Sequence, residues 1–186
     1  MDLAKHRHSK FSVVRNATDT SVTMMDSSAV RQTTVQIWTR IEDFRAGKIP
    51  DKKGFPAVCW AATFSDGKRH KESAAWTGLA YLDIDHIMQE TGRTARFFYE
   101  EHFAGMEEEW GIVHAQISPS GDGLHIVFIP SVTPDPTDGL KPCQAAFAKL
   151  AGLKFWDANC HDLARMMFLS SLGDTLYDAL DTLIEL

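Results

Sequence analysis

Leu79-Ala80-Tyr81-Leu82-Asp83-Ile84-Asp85-His86 is an apolar run that ends in two acids one residue apart. In a strand, residues i and i+2 project from the same face. Both carboxylates of such a strand stand side by side, an arrangement that calls for a cation between them. Paired acids of this kind are what a Mg²⁺ or Mn²⁺ site for phosphoryl or nucleotidyl transfer needs.

From residue 77 onward the hydrophobic pattern alternates between the periods of strand and helix. Residues 77–85 read as the acid-bearing strand. Residues 91–110 read as a helix with Phe97, Phe98 and Phe103 inward, and 112–118 as a second strand. Pro119-Ser120-Gly121-Asp122-Gly123 is a tight turn, and 124–129 returns as a third strand. A loop at 134–139 leads to a helix over 140–151 built on Cys143, Phe147 and Leu150, and then to a last strand at 165–171. This order is β-α-β-β-α-β, so the expected fold is α+β with a ferredoxin-like or RRM-like core over 76–171.

Before the core, 11–75 reads as a smaller N-terminal α/β lobe. It holds a short strand at 11–14, a polar loop at 15–32, a helix at 34–46 and a buried strand at 55–64. In that helix Ile37, Ile41 and Phe44 share a face, Thr33 or Thr34 caps the start, and Gly47 and Pro50 end it. Residues 1–10 read as a flexible leader. Residues 172–186 form an acidic tail, helical over 174–186.

The chain has 186 residues, 44% of them hydrophobic, which suits one domain with a real core. Its net charge of −6 excludes a basic nucleic-acid coat but leaves room for local basic patches. The three cysteines, Cys59, Cys143 and Cys160, form no CxxC pair, so neither a cysteine zinc site nor a disulfide framework is expected. A reducing, cytoplasmic compartment follows from that usage. No apolar stretch approaches the ~18 residues of a membrane span, and Met1 to Arg15 lacks the apolar run of a signal peptide.

Three further pieces carry chemistry. Ser118-Pro119-Ser120-Gly121-Asp122-Gly123-Leu124-His125 sets two glycines beside small hydroxyls. Such a turn can aim backbone N–H groups at an anion, and a following histidine can grip a phosphate oxygen. A hairpin whose glycines serve geometry alone is the competing reading. Asp157, or Asp162 in its place, can supply a third carboxylate, since two-metal chemistry usually needs more than two acids. Arg165 can neutralise phosphate charge or form an ordinary salt bridge. Lys52 and Lys53, and the Lys68-Arg69-His70-Lys71 cluster, can touch nucleic-acid phosphates, the latter cluster reading more readily as a solvated loop. His86 can orient a neighbouring carboxylate or merely mark the strand end. Trp60 and Trp76 read as core.

Taken together, these pieces resemble the catalytic domain of the archaeo-eukaryotic primase superfamily, the primase-polymerases. The two-acid strand of that superfamily matches Leu82-Asp83-Ile84-Asp85-His86. Its Ser-x-His motif matches Gly123-Leu124-His125 after Ser-Pro-Ser-Gly, and its third acid after an apolar residue matches Trp156-Asp157. The branch most similar over residues 52–125 is that of small bacterial primase-polymerase domains found beside VirE-type helicase-like proteins and, in some cases, CRISPR systems. The chain departs from the pattern at Gly123, where the family has serine, so the hydroxyl contact is left to Ser118 or Ser120. Within these 186 residues no helicase or zinc-binding motif is expected. The chain ends soon after the third motif, as expected of a domain taken from something longer.

The resemblance implies a metal-dependent nucleotidyltransferase acting on template and primer with nucleoside triphosphates, possible associates being a helicase or CRISPR adaptation proteins. Asp83, Asp85 and Asp157 would bind Mg²⁺ or Mn²⁺. Ser118, Ser120, Gly121, Gly123, His125 and Arg165 would bind the nucleotide, and Lys52 and Lys53 the nucleic acid. The alternative is a non-catalytic RRM-like nucleic-acid-binding module, which would offer aromatic side chains on its sheet. A rolling-circle nickase ranks below both, because His-x-His is missing: position 127 is Val127.

Overall fold

In the computed structural model, which describes residues 10–182, the chain starts with β1 (Lys10–Val14) and β2 (Thr23–Asp26). The expected leader at 1–10 lies outside the described residues except for Lys10. Two helices follow, α1 (Ser27–Gln36) and α2 (Trp38–Arg45), instead of one at 34–46. The polar stretch before them, expected as loop, holds β2 and the first turns of α1. Asp26 caps α1 by accepting from the Ala29 amide at 2.8 Å, which is why an Asp-Ser-Ser run starts a helix here.

The expected strand at 55–64 turns a corner at Trp60-Ala61 and becomes β3 (Ala57–Cys59) and β4 (Ala62–Phe64), the latter paired with β5 (Ala74–Trp76). Then come β6 (Ala80–Ile84), α3 (Ile87–Thr91), α4 (Ala95–His102), β7 (Ile112–Ile117), β8 (Leu124–Phe128) and α5 (Lys141–Leu150). The chain closes with β9 (Met167–Phe168) and β10 (Thr175–Asp178). The single helix expected over 91–110 is broken by Gly92, which ends α3 in the left-handed region at φ 70°, and by the turns after His102. Phe98 and Phe103 are buried as expected, whereas Phe97 is exposed with the Arg93 guanidinium over its ring.

All strand pairs are antiparallel. One sheet has the order β2-β1-β3-β9 and the other β10-β7-β8-β6. The α+β class therefore holds. In the second sheet, β8 lies between β6 and β7 with α4 connecting the outer two, the split β-α-β arrangement expected of the core.

The expected fourth core strand does not join them. Residues 167–168 pair with β3 of the other sheet, and β10, from a tail expected to be helical, takes the place beside β7. The outer edge of β6 is already covered: its Tyr81 carbonyl accepts from Gln144 Nε2 at 3.1 Å and its Asp83 carbonyl from the Asp157 amide at 2.8 Å.

The second sheet has two unlike faces. Leu82, Ile84, Leu124, Ile126 and Phe128 are buried on the helix side, where Phe128 stacks on Phe147 of α5 at 4.0 Å. The other face carries Tyr81, Asp83, His125, His114 and Gln116, and is covered by the first sheet. Trp60 lies against His114 at 5.2 Å, and Gln116 binds the backbone of residues 168 and 170. The three cysteines are free, as expected, and among the described residues no helix is long and apolar enough to cross a membrane.

Candidate metal and nucleotide site

Register puts the acidic strand beside the histidine strand. Asp83 of β6 is the cross-strand partner of His125 on β8, and His125 is the partner of Gln116 on β7. Three polar side chains thus form a row on the covered face. The Asp157 amide bonds the carbonyl of Asp83, and this backbone contact delivers the third acid. One ligand atom from each of Asp83, Asp157 and Cys160 lies within 4.8 Å of the others. The Cys160 thiol donates to Asp157 Oδ2 at 2.9 Å, and the Asn159 amide donates to Oδ1 at 2.9 Å.

Asp162, the competing third acid, is committed elsewhere. It accepts from Lys71 Nζ at 2.5 Å and from the Ala164 amide at 2.8 Å.

Electrostatics separate the three aspartates. Burial pushes the Asp83 carboxyl up to about 6, with the Asp157 charge adding to the rise and Lys52 opposing it. Its Oδ1 is buried without a hydrogen-bond partner among the described residues. Asp85 is raised too, by burial first and then by the Asp83 charge. Asp157 is held below the usual carboxylate range, chiefly by the Cys160 thiol. The Cys160 thiol is pushed up to about 12 by burial, then by its bond to Asp157. Asp85 stands just past the end of β6, outside the cluster of three.

Gly123 is explained by this crowding. A Cβ there would meet Asp85 Oδ1 at 3.0 Å, the Ile84 carbonyl oxygen at 2.9 Å and Ser118 Oγ at 2.9 Å. The Ser118 hydroxyl occupies space that a side chain at 123 would need. Ser118 Oγ and Ser120 Oγ bond each other at 2.9 Å.

The turn differs from an open anion nest at Gly121. Its amide donates to the Ser118 carbonyl at 2.9 Å and closes the turn on itself, so this N–H is not offered to a ligand. Gly121 still earns its place, at φ 86°.

His125 is not a cation. It is 4% exposed, and burial lowers its pKa to about 4, Lys52 adding to the effect. Gln116 Nε2 donates to the Phe168 carbonyl at 2.7 Å, which fixes the amide's orientation. The same nitrogen lies 3.0 Å from His125 Nδ1, so the network assigns Nδ1 as acceptor and Nε2 as the N–H donor. Nε2 points at Asp83 Oδ1 from 3.7 Å, too far for a hydrogen bond.

Lys52 and Lys53 part company. Lys52 is half-buried, with Nζ 5.6 Å from the Phe168 ring centre, and its charge acts on Asp83, Asp85 and His125. Lys53 is exposed and its backbone is tied to Asp51 and Ala17. The exposed Arg165 is near enough for its charge to favour the ionised forms of Asp83 and Asp157. Ser170, below it, is buried on Asp174.

Several supports were not legible in the sequence. Arg45 of α2 donates to the carbonyls of Pro119 at 3.0 Å and Ser118 at 3.1 Å, and pairs with Asp174 at 3.1 Å, clamping the turn from the other lobe. Asp122 caps α3, its carboxylate accepting from Met88 N and its carbonyl from Ile87 N. That cap holds the turn against the end of β6, where His86 adopts φ 58°. His86 lines a cavity of about 320 Å³ with Asp85, Glu90, Phe155, Trp156 and Asp157.

Residues 48–177 match the sequence model of the family described as BT4734-like, N-terminal domain, a span that holds every site residue above except Arg45. Neither the curated proteins nor the solved structures gave a match.

Proposed function

The chain belongs to the BT4734-like N-terminal domain family, and from its cleft we propose a metal-dependent nucleotidyltransferase that extends a primer on a nucleic-acid template. The observation that carries the reading is the meeting of Asp83 and Asp157, distant in sequence, beside a buried neutral histidine. The donor set fits a divalent cation: two carboxylates converge, and the buried Asp83 Oδ1 lacks any other partner among the described residues. Asp83 and Asp157 would hold the ion, with Asp85 at the rim. Such an ion, when bound, activates the primer 3′-hydroxyl and offsets triphosphate charge.

The side chains have separate tasks. His125 Nε2–H donates to a phosphate oxygen as a neutral group, held in that tautomer by Gln116. Lys52 and Arg165 offset the negative charge that grows at the transferring phosphorus. Ser120 is exposed and its hydroxyl, bonded to that of the buried Ser118, would be the one offered to the nucleotide. The RRM-like binding alternative gains no support from the sheet, whose polar face is bonded to the backbone of residues 168 and 170 and whose Tyr81 is buried.

The test is extension of a primed template with each nucleotide type, in Mg²⁺ and in Mn²⁺. Asp83→Asn and Asp157→Asn should each cut extension at least 10²–10³-fold, roughly the loss seen when one electrostatic stabiliser of a transition state is removed. Unchanged extension in either folded variant overturns the assignment.

A further inference from the structure

The third member of the cluster is a thiol, which hard-cation chemistry does not ask for. Mg²⁺ takes oxygen ligands, whereas a thiolate favours Zn²⁺ and related ions. Cys160 is 2% exposed and reaches the two carboxylates from inside the protein. The other cysteines spend their thiols on backbone carbonyls, Cys59 on Ala164 and Cys143 on Val132, away from any acid pair.

We infer that Cys160 is a ligand of the cation held by Asp83 and Asp157, and that its sulfur biases this site towards thiophilic divalent ions, Zn²⁺ above Mg²⁺. This rests on those two acids being the cation site of the reading above, though not on the reaction catalysed there.

A further observation points to a missing partner at this spot. Asp83 Oδ1 is buried with nothing bonded to it among the described residues.

The spacing suits a small tetrahedral ion. Bonds of about 2.0–2.3 Å place ligand atoms roughly 3.3–3.8 Å apart, and the three atoms here are already within 4.8 Å of one another. The fourth position falls to water or a substrate oxygen. On binding, the S–H bond breaks and a sulfur–metal bond forms. The proton, now shared with Asp157, leaves to the buffer, and no oxidant is involved.

Co²⁺ titration of the full chain reads this directly. One equivalent should give an ultraviolet thiolate-to-cobalt charge-transfer band that Zn²⁺ then displaces. Cys160→Ser should abolish the band and weaken Zn²⁺, in competition with a chromophoric chelator, by at least about tenfold, the smaller end of what even outer supports of a metal site contribute. Asp83→Asn and Asp157→Asn should weaken Co²⁺ as well. A Cys59→Ser/Cys143→Ser double variant should keep the band.

No band in the unmodified chain overturns the proposal, whatever the folding of any variant. So does a band that survives in Cys160→Ser. A cobalt–thiolate band in a protein that extends no primer with any metal would sink the polymerase reading and leave this one standing. Extension without a band would do the reverse.

Discussion

The two faces of the sheet β10-β7-β8-β6 are made by alternate residues of the same strands, yet they obey different rules. The helix-side face is hydrocarbon throughout, from Leu82 to Phe128, and its partners on α4 and α5 are aromatic and aliphatic. The covered face carries two histidines, a glutamine and an aspartate, and among the described residues Asp83 Oδ1 and both ring nitrogens of His114 have no hydrogen-bond partner. One face is where the sheet gains its stability. The other holds polar groups away from water at a cost, which is the usual signature of a surface kept for chemistry.

The largest effect should come from the helix side. Phe147 is 4% exposed and packs on both Phe128 and Phe103. Phe147→Ala should cost about 3–5 kcal/mol, the range for emptying an aromatic site in a core. Asp83→Asn, on the opposite face of the same sheet, should cost nothing or add stability, because it replaces a buried charge by a neutral isostere. Urea unfolding in chelator measures both. A destabilisation of similar size in the two variants would erase the contrast between the faces.

A smaller effect appears on titration, and here the covered face opposes itself. Burial lowers His114 and His125 to about 4, while the unfolded chain takes up these protons near 6.5. Their stabilisation is complete above pH 6.5 and is lost as pH falls towards 4. Asp83, raised to about 6, has the other sign. The folded state binds its proton before the unfolded state does, so it adds stability as pH falls through 6. One aspartate offsets about one histidine. The net loss from these three groups between pH 6.5 and 4 should therefore be on the order of 3 kcal/mol. Asp83→Asn should steepen the loss by removing the offset, and His114→Leu should flatten it. A pH profile of unfolding free energy that keeps one slope in all three proteins would contradict both assignments.

The same contrast governs what could be read before any coordinates. Alternation along 79–86 was enough to expect Asp83 and Asp85 on one face, because period two is fixed by the backbone; β6 ends at Ile84 and leaves Asp85 just past it. The split β-α-β core followed from the order of strand and helix patterns along the chain. Residues 165–171 misled, since an apolar strand pattern says that one face is buried and not which edge it will pair with. Asp157 against Asp162 was undecidable from spacing; in the fold a backbone bond brings Asp157 to Asp83, while Lys71 pairs with Asp162. Cys160, Gln116 and Asp122 act through contacts that the folded core makes, and Arg45 through contacts made only once the two lobes have met. Nothing in their local sequence marks them.

The smallest predicted effect lies at the seam between the faces. Asp122 sits in the hairpin turn, and its exposed carboxylate accepts from the Met88 amide at 2.8 Å. Helix caps of this kind are worth about 1 kcal/mol, and less where water can replace them. Asp122→Ala should thus leave the fold nearly untouched. It should also loosen the only side-chain tie among the described residues between the Ser118–Gly123 turn and the helix that follows Asp85. The expected result is a loss of roughly 1 kcal/mol or less in urea unfolding, paired with a several-fold weaker apparent affinity for the nucleoside triphosphate in primer extension. If stability falls by as much as in Phe147→Ala, the turn belongs to the load carried by the helix side. If neither quantity moves, the turn is positioned by the Arg45 clamp alone, and the seam has to be redrawn on the other lobe.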